Sequence, residues 1–387
     1  MADKKKIAIV VNSCIVGGVE TALINMLRLM DADKFDITVF TNFEGNPIVK
    51  NVPEYVKCVD LDEYGIKTVY KHAVSTHDLK TVLTILYNYA RFRLEKNAYN
   101  RNVWLYKHIN FKEINYDYLI AYKFGASSIA IANEAFNAKK TLVWIHSDLP
   151  INDSEYKSAL ASFDKCFCVS EYMKEHFLSH CPTAREKTDV FHNIVDAEDI
   201  WNKSNEEIQD VDFSKEILIV TVGRLGTGKG QISIPQTAKM LADSGIDFVW
   251  YLVGDGPERE AVEQEIKRLD VGKCVFLLGT KENPYPYMKA CTLYVQTSTS
   301  EGWCLTTQEA RVLHKPCVVT DIPVMHEQFI DGENGIIAKG TDAASLYEGI
   351  MRIINSNTLY DNIVKNLEEN PQDGAVELQK LYDFFGD

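Results

Sequence analysis

The chain has 387 residues, a net charge of −14 at pH 7, 46% hydrophobic residues and 25% charged residues. This length predicts more than one domain, because single hydrophobic cores rarely grow beyond about 250–300 residues. The composition is that of a globular protein, and the negative charge argues against bulk nucleic-acid binding. No apolar run approaches the roughly 20 residues that would span a bilayer.

The N-terminal segment MADKKKIAIVV contains an apolar run that is short for a signal peptide and fits a first strand. The nine cysteines include no CxxC pair and are interpreted as reduced thiols of a cytoplasmic protein. No spacing typical of metal ligands is present, so the sequence predicts no metal site.

Short apolar runs rich in β-branched residues alternate with helical patterns along the whole chain. In the first half they are KIAIVV, DITVFT, YDYLIAY, TLVWIH and KCFCVS, and in the second half EILIVTVG, DFVWYLVG, KCVFLLG, CTLYVQTS and PCVVTD. Continuous apolar strands between helices predict parallel sheets covered on both faces. The pattern predicts two doubly wound α/β domains facing a cleft, with ligands beyond the carboxyl ends of the strands.

A polar, acidic stretch at 196–216 separates the two series of strands and is interpreted as a linker. The predicted domains are therefore 1–195 and 196–370. Residues 371–387 are predicted to form a C-terminal helix, a candidate to return to the N-terminal domain.

Residues 67–112 differ from the rest of the chain in charge. They contain nine Lys or Arg against two Asp or Glu, a balance of +7 that leaves −21 for the remainder, and eight aromatic residues. The segment is predicted to form one or two helices with a basic, aromatic face. It is either an ordinary solvated surface, an acceptor site or a contact with anionic lipid headgroups.

The stretch VGRLGTGKGQ (222–231) follows the apolar run EILIVT, and from Gly223 to Lys229 it spells GxxxxGK. A nucleotide triphosphatase loop needs Ser or Thr after the lysine as a magnesium ligand, but Lys229 is followed by Gly230. The glycine spacing also departs from the dinucleotide pattern. What remains is a strand end with Arg224 and Lys229, two cations that suit a diphosphate.

The stretch STSEGWCLTTQEA (298–310) carries two acids, Glu301 and Glu309, around the predicted start of a helix. Gly302 lets the backbone approach a ligand closely, and free amides of a first helical turn favour an anion. Two acids beside an anion site are explained if they bind the hydroxyls of a sugar nucleotide. The alternative is a charged surface loop followed by a helix.

Taken together, these motifs resemble those of the family 4 retaining glycosyltransferases (glycosyl transferases group 1), which have the GT-B fold. EGWCLTTQE resembles their Glu-seven-residues-Glu motif, VGRLGTGKG their GRLxxxKG segment, and LVGDGPERE and TDIPVMHEQFIDGENGIIA further landmarks. In the first half, IVGGVETALINMLRLM resembles their glycine loop and first helix, and WIHSD, CVSEYMKEHF and HNIVD follow in family order. The likeness spans nearly the whole chain.

The resemblance implies roles for the residues of the second half, the donor-nucleotide side. Arg224 and Lys229 would neutralise the donor diphosphate, more strongly as the leaving group gains charge. Glu309 would hold the nucleotide ribose and Glu301 the hydroxyls of the donor sugar. The backbone at 302–305, which is Gly302, Trp303, Cys304 and Leu305, would meet the phosphates or the sugar.

In the first half, the acceptor side, the resemblance implies that Gly17 and Gly18 let a loop close over the donor. It also implies that His146 lies near the transferred sugar. Taken alone, a histidine that ends a strand is more often structural, so this role depends on the family likeness.

The sequence departs from the family pattern at three places. Asp321 is followed by Ile322 and Pro323 instead of a glycine pair, and EARVLHKP has larger residues than the family has there. Pro235 is expected to interrupt the helix after GRLxxxKG. The first two departures leave the donor and acceptor sugars undetermined.

The implied reaction is metal-independent hexosyl transfer from a nucleotide-sugar, expected to be a UDP-sugar, to a glycan or polyprenyl-linked glycolipid acceptor. It would proceed by front-face attack and serve bacterial surface polysaccharide synthesis, in the cytoplasm or at the inner face of the membrane. Two other classes stay open: an inactive GT-B subunit that binds a glycan or a partner enzyme, and a sugar-nucleotide epimerase.

Overall fold

A computed structural model describes residues 4–11, 17–42, 47–123, 125–147, 154–211, 214–372 and 374–386. The chain divides into two compact units. The first unit contains Met1–Ile194 and Ala375–Asp387, and the second contains Val195–Gly374. These divisions lie near the sequence-based boundaries at 195/196 and 370/371.

The first unit is built on a seven-stranded sheet with the order β3-β2-β1-β4-β5-β6-β7, and every recorded pairing in it is parallel. Five of the strands coincide with the predicted apolar runs, and β3 and β7 are short edge strands without such a run. The strands are β1 (Lys5–Val11), β2 (Phe35–Thr41), β3 (Lys57–Asp60), β4 (Asn115–Ala121), β5 (Asn137–Ile145), β6 (Lys165–Cys168) and β7 (Thr188–Val190).

Helices alternate with these strands, as doubly wound sheets require. They are α1 (Gly18–Leu29), α2 (Pro47–Asn51), α3 (Ile66–Ser75), α4 (Leu79–Leu94), α5 (Ala98–Tyr106), α6 (Ala126–Ala135), α7 (Ser154–Ala161) and α8 (Glu171–His180). Short 3₁₀ segments lie at Leu61–Tyr64 and Pro182–Lys187. The basic segment 67–112 thus forms three helices, α3 to α5, instead of the one or two that were predicted.

The second unit contains a six-stranded sheet with the order β10-β9-β8-β11-β12-β13, and its recorded pairings are again parallel. The predicted runs account for five strands, and the two-residue β13 was missed. The strands are β8 (Ile217–Val222), β9 (Phe248–Val253), β10 (Val275–Gly279), β11 (Leu293–Gln296), β12 (Cys317–Val319) and β13 (Ile336–Ile337).

The helices of the second unit cover both faces of its sheet. They are α9 (Ala197–Lys203), α10 (Ile234–Asp243), α11 (Arg259–Arg268), α12 (Tyr285–Ala290), α13 (Leu305–Val312), α14 (Pro323–Gln328), α15 (Ala343–Ile354) and α16 (Asn357–Glu369). The core includes the completely buried side chains of Ile219, Trp250, Leu293 and Val318. Helix α9, capped by Asp196, lies within the stretch that was interpreted as a linker.

The C-terminal helix α17 (Ala375–Phe385) packs on the first unit. The ring of Tyr382 stacks on Phe35 with centroids 5.6 Å apart, and the ring of Phe385 lies 4.2 Å from that of Tyr118. Glu377 of α17 accepts hydrogen bonds from the backbone amide of His192 at 3.0 Å and from its imidazole Nδ1 at 2.9 Å. Aromatic packing and a charge-assisted contact therefore join the end of the chain to the first unit.

The expectation that Pro235 interrupts a helix is wrong. A short 3₁₀ segment (Gln231–Ser233) precedes α10, and Pro235 lies in the first turn of that helix. Amides of a first turn have no partner within the helix, so a proline costs no hydrogen bond there.

Each sheet reverses its strand order once. In the first unit successive strands are added on one side of β1 up to β3 and on its other side from β4 onwards. In the second unit the same reversal occurs between β8 and β11. The carboxyl ends of the two strands flanking such a reversal leave a crevice in which ligands of α/β sheets bind. These two edges are therefore the places where side-chain chemistry is expected.

Candidate functional site

The loops that follow β8 and β11 are hydrogen-bonded to each other at the reversal point of the second sheet. The carbonyl of Gly228 accepts from the amides of Thr299 at 2.8 Å and Ser300 at 3.2 Å. The hydroxyl of Thr297 donates to the carbonyl of Lys229 at 2.7 Å. These contacts hold the GRLGTGKG loop against the start of the EGWCLTTQE segment.

A glycine is required at position 230 for this contact. Gly230 has φ +68°, and a Cβ there would lie 2.0 Å from the carbonyl oxygen of Thr297. Gly228 also has a positive φ of +88°. These glycines, whose spacing resembles that of a phosphate-binding loop, thus allow two loops to pack closely. Only glycine combines a positive φ with the lack of a side chain.

Lys229 and Glu301 are brought into direct contact by the two loops. The Nζ of Lys229 lies 2.6 Å from Oε1 of Glu301, and the Glu301 side chain is only 8% exposed. The hydroxyl of Ser298 donates to the same carboxylate oxygen at 2.7 Å. The Ser298 hydroxyl in turn accepts a hydrogen bond from the side-chain Nε2 of Gln296 at 2.8 Å. A chain of hydrogen bonds therefore joins the end of β11 to the charged pair.

The electrostatics of this pair follow from burial and charge. Burial disfavours the ammonium of Lys229, but the Glu301 carboxylate outweighs that effect, and the pKa of Lys229 is raised above its ordinary value. Burial, with the Glu301 charge nearby, raises the pKa of the Cys304 thiol to about 11. Cys304 is consequently a neutral thiol at neutral pH, and Lys229 keeps its positive charge.

Helix α13 begins one residue after Cys304, at the same edge of the sheet. Among the described residues, no side chain caps the amides of its first turn. Cys304 and Leu305 are buried there, while Gly302 and Trp303 are half-buried. Uncapped amides at a helix N-terminus carry partial positive charge and bind anions.

Glu309 lies in the middle of α13 and is only 5% exposed. The hydroxyl of Tyr285, at the start of α12, donates to its Oε1 at 3.3 Å. Burial raises the pKa of Glu309 to about 7, although the tyrosine hydrogen bond opposes the rise. A carboxyl with this pKa changes charge near neutrality. Its ionised form is stabilised when a ligand donates hydroxyl hydrogen bonds to it.

Arg224 lies on the same loop as Lys229, with an exposed side chain. Within the described part of the chain, its guanidinium takes part in no ion pair shorter than 4.0 Å. The backbone of Arg224 itself is held, because the side-chain Nε2 of Gln231 donates to the Arg224 carbonyl at 3.0 Å. The second unit thus brings Lys229 and Glu301 together beside the start of α13, with Arg224 on the same loop as Lys229 and Glu309 one turn into the helix.

The remaining predicted residues, Gly17, Gly18 and His146, belong to the first unit. Gly17 precedes α1 in an extended conformation (φ −163°) that any residue can adopt, and Gly18 opens the helix. The preceding part of the predicted glycine loop, 12–16, lies outside the described residues, as does Asp148 of WIHSD.

His146 follows β5 and is 8% exposed. Its ring lies 4.8 Å from that of Tyr122, centroid to centroid. Among the described residues, neither ring nitrogen has a hydrogen-bonding partner in good geometry. Burial lowers the pKa of His146 to about 3, so the imidazole is neutral at neutral pH.

Sequence reasoning missed an ion pair at the reversal point of the first sheet. Glu20, in the first turn of α1, is 2% exposed, and its carboxylate lies 3.3 Å from Nζ of Lys123 after β4. One signal was available: Glu20 is an acid within the otherwise apolar start of α1. Ser298 and Gln296 were also missed; their hydrogen bonds are local, but a polar residue after a strand does not reveal in the sequence which side chain it contacts.

The described residues show neither a metal site nor a membrane-spanning helix. They contain no group of three or more His, Cys, Asp or Glu residues arranged to hold a metal ion. None of the helices described is long and apolar enough to cross a membrane. The cysteines recorded in the described chain are free, and most of them are buried.

The arrangement at the second sheet combines a fixed cation, uncapped helix amides and two buried acids. The cation and the amides can neutralise an anion such as a diphosphate. The acids can accept hydrogen bonds from hydroxyl groups. The edge is therefore suited to a ligand that carries both phosphate and hydroxyls.

Comparison with known protein families matches both halves of the chain. The profile described as "Glycosyltransferase Family 4" matches residues 16–199, and "Glycosyl transferases group 1" matches residues 203–370. Two parallel-sheet α/β domains of this kind define the GT-B class of glycosyltransferase folds. The chain belongs to the family 4, group 1, glycosyltransferases.

Individual relatives are distant. A glycosyltransferase of Methanocaldococcus jannaschii is 27% identical over 216 residues, covering 55% of this chain and 56% of the relative. The N-acetylgalactosamine-N,N'-diacetylbacillosaminyl-diphospho-undecaprenol 4-alpha-N-acetylgalactosaminyltransferase of Campylobacter jejuni is 24% identical over 246 residues, covering 63% of this chain and 66% of the relative. The chain thus spans between half and two thirds of the length of these relatives.

Solved structures share the fold over nearly the whole chain. The Anabaena protein HepE in complex with UDP superposes with a TM-score of 0.68 at 18% identity, covering 99% of both chains. A Staphylococcus aureus TarM variant in complex with Fondaparinux, alpha-GlcNAc-glycerol and UDP gives 0.71 at 14% identity, covering 99% of this chain and all of the other. At these identities the likeness concerns the fold alone.

Proposed function

We propose that the protein is a retaining glycosyltransferase that moves a sugar from a UDP-sugar to a hydroxyl group of a glycan or glycolipid acceptor. The observation that carries the proposal is the contact between Lys229 and Glu301 beside the start of α13, at the reversal point of the second sheet. Cation, acid and helix amides there match the phosphates and hydroxyls of one donor molecule.

The donor diphosphate binds Arg224, Lys229 and the backbone amides near Leu305. During transfer the bond between the sugar C1 and the diphosphate breaks, and negative charge grows on the departing oxygens. Fixed cations and amides stabilise that charge more in the transition state than in the bound donor, which is how such groups accelerate a reaction. In this proposal they take the part that a divalent metal plays elsewhere.

The hydroxyls of the donor bind the two acids. Glu301 accepts hydrogen bonds from the transferred sugar, while Lys229 exchanges part of its contact with Glu301 for a phosphate oxygen. Glu309 accepts hydrogen bonds from the ribose. Because ribose hydroxyls favour the carboxylate, donor binding lowers the pKa of Glu309 below its value of about 7.

The acceptor hydroxyl attacks the same face of C1 that the diphosphate leaves. The new bond joins the acceptor oxygen to C1, and the acceptor proton passes to a phosphate oxygen of the departing UDP, so no separate general base takes part. His146, neutral at neutral pH, acts through hydrogen bonding to the transferred sugar and not as an acid.

Relatives support the donor and the stereochemistry. HepE and TarM have solved structures with UDP. The Campylobacter relative forms an alpha linkage, as does the poly(ribitol-phosphate) alpha-N-acetylglucosaminyltransferase of Staphylococcus aureus, which is 23% identical over 192 residues. An alpha product from an α-linked UDP-sugar is the retained configuration. These names also support acceptors of the surface-polysaccharide or lipid-linked type.

The first test is thermal denaturation of the full chain with UDP, GDP or ADP, each with and without EDTA. A ligand at about 100 times its dissociation constant raises the free energy of unfolding by roughly 2.7 kcal/mol. We expect a clear rise in Tm with UDP, no rise in the Glu309→Ala variant, and the parent rise in Lys215→Ala. Lys215 is a matched control, since it also forms an ion pair, with Asp247, but lies before the N-terminal end of β8, away from the proposed site.

Each outcome separates one part of the proposal. A UDP effect that EDTA abolishes would contradict metal independence, and a preference for GDP or ADP would replace the donor base. No effect of any nucleotide would favour the inactive binding subunit. If UDP binds, incubation with UDP-sugars and analysis of the products distinguishes transfer to an acceptor from epimerisation of the donor.

A further inference from the structure

The first unit exposes a continuous apolar face on helix α4. Leu79, Leu83, Leu86 and Leu94 have exposed fractions of 73%, 66%, 48% and 78%. At 3.6 residues per turn these leucines fall within an arc of about 80°. The opposite side of α4 holds its buried residues, Ile85 and Asn88, against the rest of the unit. The side of α4 with Ile85 and Asn88 is covered by the rest of the unit, whereas the leucine side is apolar and exposed.

Basic side chains flank this apolar face on both sides. Around the helix axis, Arg93 lies on one side of the leucines and Lys80 and Arg91 lie on the other, all three exposed. The sequence of α4, LKTVLTILYNYARFRL, contains no acid. Aromatic rings lie close by: the guanidinium of Arg91 stacks 4.9 Å from the ring of Trp104 on α5. Apolar stripe, basic edges and nearby aromatic rings are the features of a helix that lies in a membrane interface.

The charge distribution favours an anionic bilayer, and not a second copy of the chain, as the partner of this face. Residues 67–112 carry a balance of +7 within a chain of net charge −14. A second copy of the chain would bring the same basic edges against each other, which is unfavourable. An anionic bilayer would attract this face and repel the acidic remainder, so contact would be confined to α4 and its neighbours.

We propose that α4 docks on a bilayer containing anionic phospholipids, with its leucines inserted among the acyl chains and its basic residues on the headgroups. The surface consists of Leu79, Leu83, Leu86, Leu94, Lys80 and Arg93. This inference rests on the proposed function for its purpose, which is access to a lipid-linked acceptor, but its test does not require catalytic activity.

The experiment is co-sedimentation of the full chain with phosphatidylcholine vesicles, with and without about 30 mol% phosphatidylglycerol, at about 0.05 and 0.5 M salt. One variant combines Leu83→Ser, Leu86→Ser and Leu94→Ser, and another combines Lys80→Glu and Arg93→Glu. The matched control combines Ile330→Ser with Lys273→Glu, an exposed apolar and an exposed basic residue of the second unit. All positions are exposed, and equal Tm values verify that the fold is kept.

We expect the parent to bind anionic vesicles at least about tenfold more tightly than neutral ones, with weaker binding at high salt. The charge variant should bind at least about 25-fold more weakly, because loss of each basic residue near an anionic surface costs about fivefold and the new carboxylates are repelled in addition. The leucine variant should lose about tenfold or more, and the control should match the parent.

Equal binding of parent and variants, or binding that ignores lipid charge, would overturn the proposal. A parent dimer that the leucine variant converts to monomer, without vesicle binding, would assign the face to a second copy instead. UDP affinity measured on the same samples separates the two proposals. If the parent binds UDP but not vesicles, the docking proposal fails and the proposed function stands. If the parent binds vesicles but not UDP, the docking proposal stands and the proposed glycosyltransferase mechanism fails.

Discussion

The two sheets share one topology but differ in what lies at their reversal points. In the second unit, loops from two neighbouring strands are hydrogen-bonded together and hold Lys229 against Glu301 at 2.6 Å. In the first unit, the corresponding edge holds an ion pair between the buried Glu20 and the half-buried Lys123, and the neutral His146 lies at the end of β5. The two edges therefore differ in the loop-to-loop hydrogen bonds that hold the charged pair of the second unit and in the neutral histidine of the first.

This difference indicates a division of labour. A charged edge that is already ordered without a ligand is suited to bind a diphosphate and to stabilise charge as it leaves. A histidine with a pKa of about 3 is neutral near pH 7, so it can form hydrogen bonds but cannot act as a general acid. Variants at Lys229 and Glu309 should thus change UDP binding, whereas variants at His146 should change turnover alone.

The largest effect is expected for Lys229→Ala. Loss of the ammonium removes charge stabilisation from the leaving diphosphate, and turnover should fall about 10²–10³-fold. UDP affinity should fall about tenfold or more, as for loss of one hydrogen bond to a charged group. Initial rates of UDP release and calorimetric titration measure the two quantities. Lys215→Ala should leave both unchanged, and a loss of less than threefold in Lys229→Ala would contradict the proposed site.

The next largest effect tests the first unit. His146→Ala should reduce turnover about 10²-fold, because a group that contacts the reacting sugar is lost. UDP affinity should stay within about twofold of the parent, since a hydrogen bond to nucleotide would be worth more than that. Turnover in the parent should show no titration of His146 between pH 5 and pH 9, as its pKa is about 3. Parallel losses of affinity and turnover would remove the proposed contrast between the units.

Glu309 provides a pH test within the second unit. Its pKa is about 7 in the folded protein against an ordinary value of 4.5. Folding thus favours the protonated form, so this group's contribution to stability is greatest below pH 4.5 and declines as the pH rises to 7. The decline corresponds to about 3 kcal/mol. Glu309→Gln should remove it, and denaturant titrations at pH 5 and pH 8 measure the difference.

The same group should make UDP binding depend on pH. The ribose requires the carboxylate, so parent affinity should fall about tenfold per pH unit below pH 7, relative to Glu309→Gln. Ionisation of UDP itself is common to both proteins and cancels in this comparison. Parallel pH profiles for the two proteins would exclude Glu309 from the ribose site.

The smallest effect concerns the orientation of Glu301. Ser298→Ala removes the 2.7 Å hydrogen bond to the carboxylate but leaves the contact with Lys229. Loss of one such bond is worth about 1 kcal/mol, or about fivefold in turnover, with UDP affinity unchanged. Ser300→Ala, two residues along the same loop and exposed, is the matched control. An equal loss in both variants would indicate a general effect on the loop.

Part of this site could be predicted because it lies in local sequence. The strand before Arg224 and the helix after Cys304 follow from short patterns, and both occur as expected in β8 and α13. The edge strands β3, β7 and β13 were not predicted, because each is too short to show periodicity. The role of Pro235 was misjudged, since a proline at a helix start and one inside a helix look alike until the start is known.

The sequence by itself determined two parallel-sheet domains, because runs of apolar strand residues can be buried only between layers of helices. It also determined which residue types stand at the ends of β8 and β11. Only the tertiary structure decided that Lys229 and Glu301, 72 residues apart, share a hydrogen bond. It likewise decided that Glu309 titrates near pH 7 and that His146 is neutral. Those properties depend on neighbours in space and on exclusion of water, which no local pattern of residues records.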